Sequence, residues 1–530
     1  MKKLISIILS FVMITSLISG CGKDTRSVAT TTVEHNLAIH EANLEIDGVL
    51  TYEETTAGEW YDETLSTERA ETPAFNTEEY NVVKENSFVD VAQTPLSTFA
   101  ADVDTGSYCN FRRAVKEGRS LHNLSSAIRT EEMINYFDYT VDSTDEVFSV
   151  QYSVGNCPWN EEHKLLVLTM QANSETNVPS EGNNFVFLVD SSGSMEGSLV
   201  MAVEGFKLLA SRLGPKDTVS VVTYAGSSET LLEGSNDYDE ICKALDSISA
   251  YGGTNGSGGI EAAYHCAEKH FIEGGNNRVI IASDGDMNLG ITSQSGLVDL
   301  IKEKKESGVF LTTLGFGYGN YSDANMESLA DAGNGNYFYI DSIDEAERVL
   351  CAKMMQTTVT VAKDVKFQLE FNPAEVKSYR QIGYENRQMA SSDFTDDTKD
   401  GGEIGAGAQV TVCYELVLAD GASGDDDGLK YQDPALSEEA NSGELCTVSV
   451  RYKKPDADKS EELQYPLKDN GISNEDDFNF VCGVIEASLV LRDSEYKGTA
   501  TYQSAIELAK SGANDNRYRE EFCELIEKLD

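Results

Sequence analysis

The chain has 530 residues, of which 40% are hydrophobic, and carries a formal net charge of −49. This length exceeds the size of one compact core, so we expect about two to four domains. The charge argues against a nucleic-acid-binding protein, because neutralising phosphates requires clustered lysine and arginine side chains. An acidic surface instead favours solubility and bound cations.

The N-terminal residues have the pattern of a targeting segment. Lys2 and Lys3 precede an apolar run over residues 4–17, and small residues lead to Cys21. The run is shorter than the roughly 20 residues that a membrane-spanning helix needs. It resembles a lipoprotein signal peptide, which implies cleavage before Cys21, lipidation of that residue and export of the body. The lipid anchor would hold the body at the outer face of the cytoplasmic membrane, or at an outer membrane if the cell has one. An uncleaved anchor is the alternative.

The sequence divides into six segments. They are a signal peptide (1–20), an acidic disordered tether (21–88), an N-terminal region of helices and strands (89–182), a central α/β domain (183–355), a β-rich region (356–470) and a C-terminal helical region (471–530). The tether is rich in threonine and glutamate and lacks apolar periodicity, which is typical of disordered chains.

The cysteines give little guidance on pairing. Nine of the ten follow Cys21, so at least one of these cannot pair within the chain. Most fall in helical or strand-like patterns that favour buried thiols. Cys413 and Cys446 are the best candidates for a disulfide, only because both lie in strand-like runs.

The central domain alternates between strand and helix patterns. The unbroken apolar run at 185–189 is typical of a strand buried on both faces, and the next helix keeps Leu199, Val203 and Phe206 on one face. Similar strand patterns follow at residues 219–223, 278–282, 310–314 and 337–340. The alternation predicts a doubly wound, mainly parallel sheet.

Three loops of this domain are rich in side-chain oxygens. Asp190, Ser192 and Ser194 follow the first strand, Thr254 ends a Gly-Gly-Thr loop, and Asp284 follows a later strand. Ligands of open parallel sheets bind at the carboxyl ends of the strands, so we expect these loops to meet. Two carboxylates and three hydroxyls suit Mg²⁺, which takes about six oxygen ligands and usually keeps some waters. For the first loop alone, a helix N-cap is the alternative.

The order of these motifs resembles the metal-ion-dependent adhesion site of von Willebrand factor type A (vWA) domains. The resemblance implies that Ser192 and Ser194 bind the metal directly and that Thr254 does so in the ligand-bound form. Asp190 and Asp284 would contact it mostly through water. The implied ion is Mg²⁺, with Mn²⁺ or Ca²⁺ as alternatives, and the implied partner is a protein whose acidic side chain completes the metal shell.

Sequences on both sides of the central domain resemble a bacterial vWA lipoprotein family. They are residues 102–108, 112–113, 129–137, 386–387, 396–407 and 491–498. The resemblance covers residues 89–530. It implies a Rossmann-like vWA fold flanked by a β-rich region and a C-terminal helical segment, in a surface-anchored adhesion or scaffolding protein rather than an enzyme.

An enzymatic alternative rests on Asp102 and Asp104. With Thr105 they fit the DxDxT spacing of metal-dependent phosphotransferases, in which the first aspartate is the nucleophile. That chemistry needs a buried strand directly before the motif, and residues 97–101 are a poor one. A Ser-His-Asp hydrolase also finds little support, because no G-x-S-x-G elbow accompanies the histidines. An open cleft with a basic partner at Asp102 and Asp104 would favour the metal-dependent enzyme, and burial in backbone turns would disfavour it.

Overall fold

The computed structural model describes residues 78–173, 181–317, 319–354, 360–399, 401–419, 436–454, 457 and 459–530. The predicted signal peptide, Cys21 and most of the predicted tether lie outside these residues. Within them, no helix has both the length and the apolar character needed to cross a membrane.

The strands of the described residues form one mainly parallel and two antiparallel sheets. In chain order they are β1 (Val89–Asp90), β2 (Leu96–Ala100), β3 (Phe148–Asn156), β4 (Lys164–Ala172), β5 (Asn183–Asp190), β6 (Thr218–Tyr224), β7 (Ser228–Ser235), β8 (Asn276–Ser283), β9 (Phe310–Gly315), β10 (Tyr337–Tyr339), β11 (Thr360–Phe371), β12 (Val376–Ile382), β13 (Gly402–Gly405), β14 (Gln409–Leu418), β15 (Glu444–Lys453) and β16 (Ser460–Lys468).

The helices lie in the N-terminal region, around the parallel sheet and at the C-terminus. They are α1 (Gly106–Lys116), α2 (His122–Ser125), α3 (Thr130–Asn135), α4 (Leu199–Ala210), α5 (Tyr238–Asp246), α6 (Gly256–Lys269), α7 (Gln294–Lys305), α8 (Asp323–Ala332), α9 (Ile343–Glu347), α10 (Glu475–Leu491), α11 (Tyr502–Ser511) and α12 (Arg517–Glu527).

The central sheet has the strand order β10-β9-β8-β5-β6-β7. Its pairs are parallel except for β6 with β7, so the predicted doubly wound, mainly parallel fold is confirmed. The edge strand β7 has no counterpart in the sequence patterns. It carries half-exposed or exposed side chains along its whole length and therefore lacks an apolar run.

The central strands are apolar without interruption because their side chains point alternately to two faces of the sheet and both faces are buried. On β5, Phe187 stacks on Phe206 of α4 with ring centroids 4.4 Å apart, while its neighbour Leu188 belongs to the core that includes Ile260 of α6. Successive side chains of a strand point to opposite faces. Helices cover both faces, so every position of β5 is buried.

The two antiparallel sheets enclose a second core. Their orders are β1-β12-β14-β4-β3 and β13-β11-β15-β16, with β2 paired to β11. Both sheets contain strands from before and after the central domain, in agreement with the predicted β-rich region. In their interior, Phe99 of β2 lies 5.3 Å from Phe367 of β11, measured between ring centroids. The core joins segments that are distant in the sequence.

The predicted Cys413–Cys446 disulfide is wrong. Cys413 lies on β14 in the core that contains Cys482 of α10, whereas Cys446 lies on β15 inside the sandwich. All cysteines of the described residues are free thiols. Strand-like sequence around two cysteines does not fix which face of which sheet each side chain occupies, and a disulfide requires Cα atoms closer than about 7 Å.

The ordered body begins before the predicted end of the tether at residue 88. Glu78 accepts a hydrogen bond from the Gly319 N–H (2.9 Å) and forms an ion pair with Arg113 (3.1 Å). The Glu79 N–H donates to the Tyr321 carbonyl (2.9 Å). Acidic composition predicts disorder in this segment, but Glu78 has a specific basic partner in Arg113 and is ordered.

Buried ion pairs attach the N-terminal region to the central domain. Arg129, at the start of α3, contacts Asp323 (2.9 Å) and Glu327 (2.8 Å) of α8 and also pairs with Glu132. The Arg129 side chain is only 2% exposed. Burial of a charge is costly unless it is paired, so the three carboxylates depend on this one guanidinium.

We expect Arg129→Met to lower the free energy of unfolding by about 3–5 kcal/mol, because it leaves buried carboxylates without their cation. Denaturant titration followed by circular dichroism measures the change. Lys510→Met, which breaks the exposed pair with Glu527, is the control and should cost no more than about 1 kcal/mol. Equal losses for the two variants would contradict the role of Arg129.

Candidate metal centre

The first loop and the Gly-Gly-Thr loop are joined through their backbones. The Gly193 N–H donates to the Gly252 carbonyl (3.1 Å), and the Tyr251 N–H donates to the Ser191 carbonyl (2.7 Å). Gly252 has a φ of +73°, a conformation that side chains disfavour. A glycine at this position therefore lets the second loop turn against the first.

The third loop is bonded to both of the others. Ser283 donates its hydroxyl proton to Asp190 Oδ2 (2.7 Å). The Thr254 N–H donates to Asn288 Oδ1 (2.9 Å), and the Leu289 N–H donates to the Thr254 carbonyl (2.9 Å). The three loops thus meet at the carboxyl edge of the central sheet, where the sequence predicted them.

The five predicted ligand residues differ in exposure. Asp190, Ser192, Thr254 and Asp284 are at most 1% exposed, whereas Ser194 is exposed. Asp190 Oδ1 accepts the Ser192 N–H (2.9 Å), and the Ser192 and Ser194 hydroxyls lie 3.0 Å apart. Thr254 is held in place through its backbone. The arrangement brings the five residues to one edge of the sheet, and their role as metal ligands stays a prediction.

The two buried carboxyl groups at this edge have raised pKa values. Burial, and next the charge of Asp284, raises the pKa of Asp190 to about 7, although hydrogen bonds from Ser192 and Ser283 lower it. Burial likewise raises the pKa of Asp284, against hydrogen bonds from Ser194, the Asp286 N–H and Asn320. Among the strongest influences on these two pKa values, the described residues contribute hydrogen bonds but no lysine or arginine to stabilise the charges. A bound cation would supply that stabilisation.

The donor atoms favour a hard cation. The described residues contain no cluster of three or more His, Cys, Asp or Glu side chains that could hold a metal ion. The candidate site has two carboxylates and otherwise offers hydroxyl oxygens. That set fits Mg²⁺, Mn²⁺ or Ca²⁺ better than Zn²⁺, whose sites use cysteine and histidine.

The N-cap alternative for the first loop is not supported. Ser192 precedes a single 3₁₀ turn, Gly193–Met195, and its side chain makes no capping hydrogen bond. The long helix α4 begins only at Leu199. The hydroxyls of Ser192 and Ser194 face each other instead of orphan N–H groups.

Three supporting residues were missed by the sequence analysis. Ser283 and Asn288 hold Asp190 and Thr254 as described above, and Asn320 donates its amide to Asp284 Oδ2 (3.0 Å). Asn320 follows β9, so the rule that strand ends line the site would have found it. Asn288 lies within a loop and carries no comparable signal.

Asp102 and Asp104 do not form an open catalytic cleft. They are 5% and 1% exposed, and Asp102 Oδ1 accepts the Asp104 N–H (2.9 Å). Asp104 Oδ1 accepts the Tyr337 N–H (2.9 Å), and Arg387 binds both carboxylates at 2.7 and 3.0 Å. These contacts hold a turn against the edge strand β10, so neither carboxylate is placed to attack a substrate.

Comparisons with known proteins agree with this architecture. Residues 356–530 match the family model described as "Uncharacterized protein YfbK, C-terminal", residues 74–167 match "von Willebrand factor", and residues 185–286 match "von Willebrand factor type A domain". The chain is 40% identical over 471 residues to "Uncharacterized protein YfbK" of Escherichia coli (strain K12), which spans 86% of this chain and 81% of that protein. The chain belongs to the YfbK family of vWA proteins.

More distant similarities involve parts of the YfbK-family chain. It is 24% identical over 180 residues to "Inter alpha-trypsin inhibitor, heavy chain 4" of Mus musculus, covering 31% of the chain and 19% of that protein. Among solved structures, "von Willebrand factor type A from Catenulispora acidiphila" is 15% identical, with a TM-score of 0.41, and covers 72% of this chain and 89% of that one.

We expect Asp190→Asn to raise the free energy of unfolding by about 1–3 kcal/mol at pH 8 in EDTA, because a neutral amide replaces a buried carboxylate of the same shape. The folded-state pKa of about 7 lies above the unfolded value of about 3.9. The contribution of Asp190 to wild-type stability therefore falls as the pH rises from about 4 to about 7 and then levels off.

Chemical denaturation of both proteins at pH 4.5, 6 and 8 measures this difference. It should grow with pH. Asp286→Asn, which removes a half-buried carboxylate from the loop of Asp284, is the matched control and should show no such growth. A constant difference between Asp190→Asn and wild type across the series would contradict the assignment.

Proposed function

We propose that this protein binds a divalent cation, in the first place Mg²⁺, at Asp190, Ser192, Ser194, Thr254 and Asp284, and through it an acidic side chain of a protein partner. Homology to vWA domains indicates a protein-interaction or adhesion role. One observation carries the finer proposal: two buried carboxylates lie beside two facing hydroxyls, and no lysine or arginine of the described residues is among the strongest influences on the pKa of either carboxylate.

Each residue has a distinct part in the proposed site. The hydroxyls of Ser192 and Ser194 would bind the ion directly, and Thr254 would join them when the partner is bound. Asp190 and Asp284 would supply negative charge mostly through water. Because Ser194 is exposed, the ion would be reachable from solvent, and a carboxylate from outside would complete its shell. The protein would act by binding rather than by catalysis.

Anchorage to a membrane is the second element of the proposal. The apolar run before Cys21 supports a lipoprotein signal peptide and a lipid anchor on that residue. The vWA site would then be presented outside the cytoplasmic membrane by the acidic segment that follows Cys21. This placement suits adhesion or scaffolding at the cell envelope.

Calorimetric titration of Mg²⁺ into the full chain should show binding heat, and Asp190→Ala should abolish it, since the variant removes one of only two carboxylates. Asp286→Asn is the matched control, because it removes a nearby charge that is not a proposed ligand and leaves the backbone N–H that bonds to Asp284, and it should keep the binding heat. Equal heats for wild type and Asp190→Ala would refute the metal site.

We expect the wild-type protein, expressed with its own N-terminus in bacteria, to partition into the detergent phase of a Triton X-114 extraction and to incorporate labelled palmitate. Cys21→Ser should remove both properties, because the acyl chains need that thiol. Cys351→Ser, at a partly exposed cysteine of the described residues, should retain them. Label on the Cys21→Ser variant would count against the anchor.

A further inference from the structure

Large apolar side chains are exposed in the two loops that carry Thr254 and Asp284. Tyr251 is 53% exposed, Leu289 44% and Ile291 38%. The described residues contain ten such exposed large apolar side chains, so three of the ten fall in two short loops at the candidate site. Clustered exposed apolar surface marks binding sites more often than single exposed residues do.

The backbones of these three residues are fixed to the site. The Tyr251 N–H donates to the Ser191 carbonyl (2.7 Å) and the Leu289 N–H to the Thr254 carbonyl (2.9 Å). The Ile291 N–H donates to Ser257 Oγ (3.1 Å), in the first turn of α6. The backbones of the three residues are therefore held against the first loop, Thr254 and the first turn of α6.

A glycine lets Leu289 pack closely against the loop that carries Thr254. A Cβ built on Gly253 would lie 3.1 Å from Leu289 Cδ1, so Leu289 sits directly over backbone that has no side chain. Gly252, which follows Tyr251, likewise has no side chain. A ligand that reached Thr254 would meet backbone and apolar side chains there, together with the proposed metal.

We propose that Tyr251, Leu289 and Ile291 form an apolar rim that selects the partner. The segment it fits is a peptide stretch in which an Asp or Glu has apolar side chains at neighbouring positions. The carboxylate would complete the shell of the cation and the apolar neighbours would cover the rim. This inference rests on the proposed function and specifies its partner.

The charge of the protein supports a partner of this kind. A carboxylate approaching a chain with a formal net charge of −49 is repelled until it reaches the cation. Additional acidic residues on the partner would add to the repulsion, whereas apolar neighbours gain free energy from burial that does not depend on charge. Each well-buried apolar side chain strengthens binding by roughly tenfold or more.

A displayed library of random heptapeptides, selected on the full chain in Mg²⁺ and released with EDTA, tests the proposal. Wild type should select peptides with one Asp or Glu flanked by leucine, isoleucine, phenylalanine or similar residues. The triple variant Tyr251→Ser, Leu289→Ser, Ile291→Ser should lose the apolar flanks from its selected peptides and bind the wild-type peptides at least about 10-fold more weakly.

Two controls separate this inference from the proposed function. The triple variant should keep the Mg²⁺ binding heat of wild type, since none of its changes removes a proposed ligand. Phe271→Ser with Ile472→Ser, two exposed apolar residues elsewhere, should leave the selection unchanged. If wild type and the triple variant select the same acidic peptides without apolar flanks, the proposed apolar rim is refuted and the proposed metal site is not. Absence of Mg²⁺ binding by wild type would overturn both.

Discussion

The burial of Asp190 and Asp284 at one edge of a parallel sheet is the constraint around which this protein is organised. Both residues are 0% exposed, yet the strongest stabilisation of their charges in the described chain comes from hydroxyl, amide and backbone groups. Folding a chain around two such charges costs free energy. The hydrogen bonds from Ser283 and Asn320 hold the two groups in place in spite of that cost.

The surrounding structure fixes this edge through the backbone. The loops are bonded to one another at Gly193, Gly252, Thr254 and Leu289, so none of them can move alone. Buried ion pairs between side chains add to these backbone bonds by joining separate regions of the chain. Arg129 couples the N-terminal region to α8, whose first residue lies just beyond the Asn320 loop.

Much of this arrangement could be predicted from the sequence, for a physical reason. Strands buried on both faces, such as β5, must be apolar throughout, and residues that follow such strands converge at one edge. The loops of Asp190, Thr254 and Asp284 were found in this way. Features without that periodicity were not: β7 is too polar to be recognised as a strand, and Asn288 reaches Thr254 from within a loop.

Errors arose where a decision depended on long-range packing. The Cys413–Cys446 pairing failed because the two strands turn their cysteines into different cores. The tether boundary at residue 88 is wrong because acidic composition predicts disorder, while Glu78 has a defined partner in Arg113. Neither the choice of face nor the choice of partner is encoded locally.

The contacts of Glu78 and Glu79 have a mechanical consequence. Both residues are bonded to the loop that contains Gly319 and Tyr321, and the same loop presents Asn320 to Asp284. The first described residues of the chain are therefore bonded to the same loop that holds the Asp284 carboxylate. Tension applied to the preceding residues would act on this loop as well as on Arg113, so stretching the chain and loosening Asp284 are not independent events.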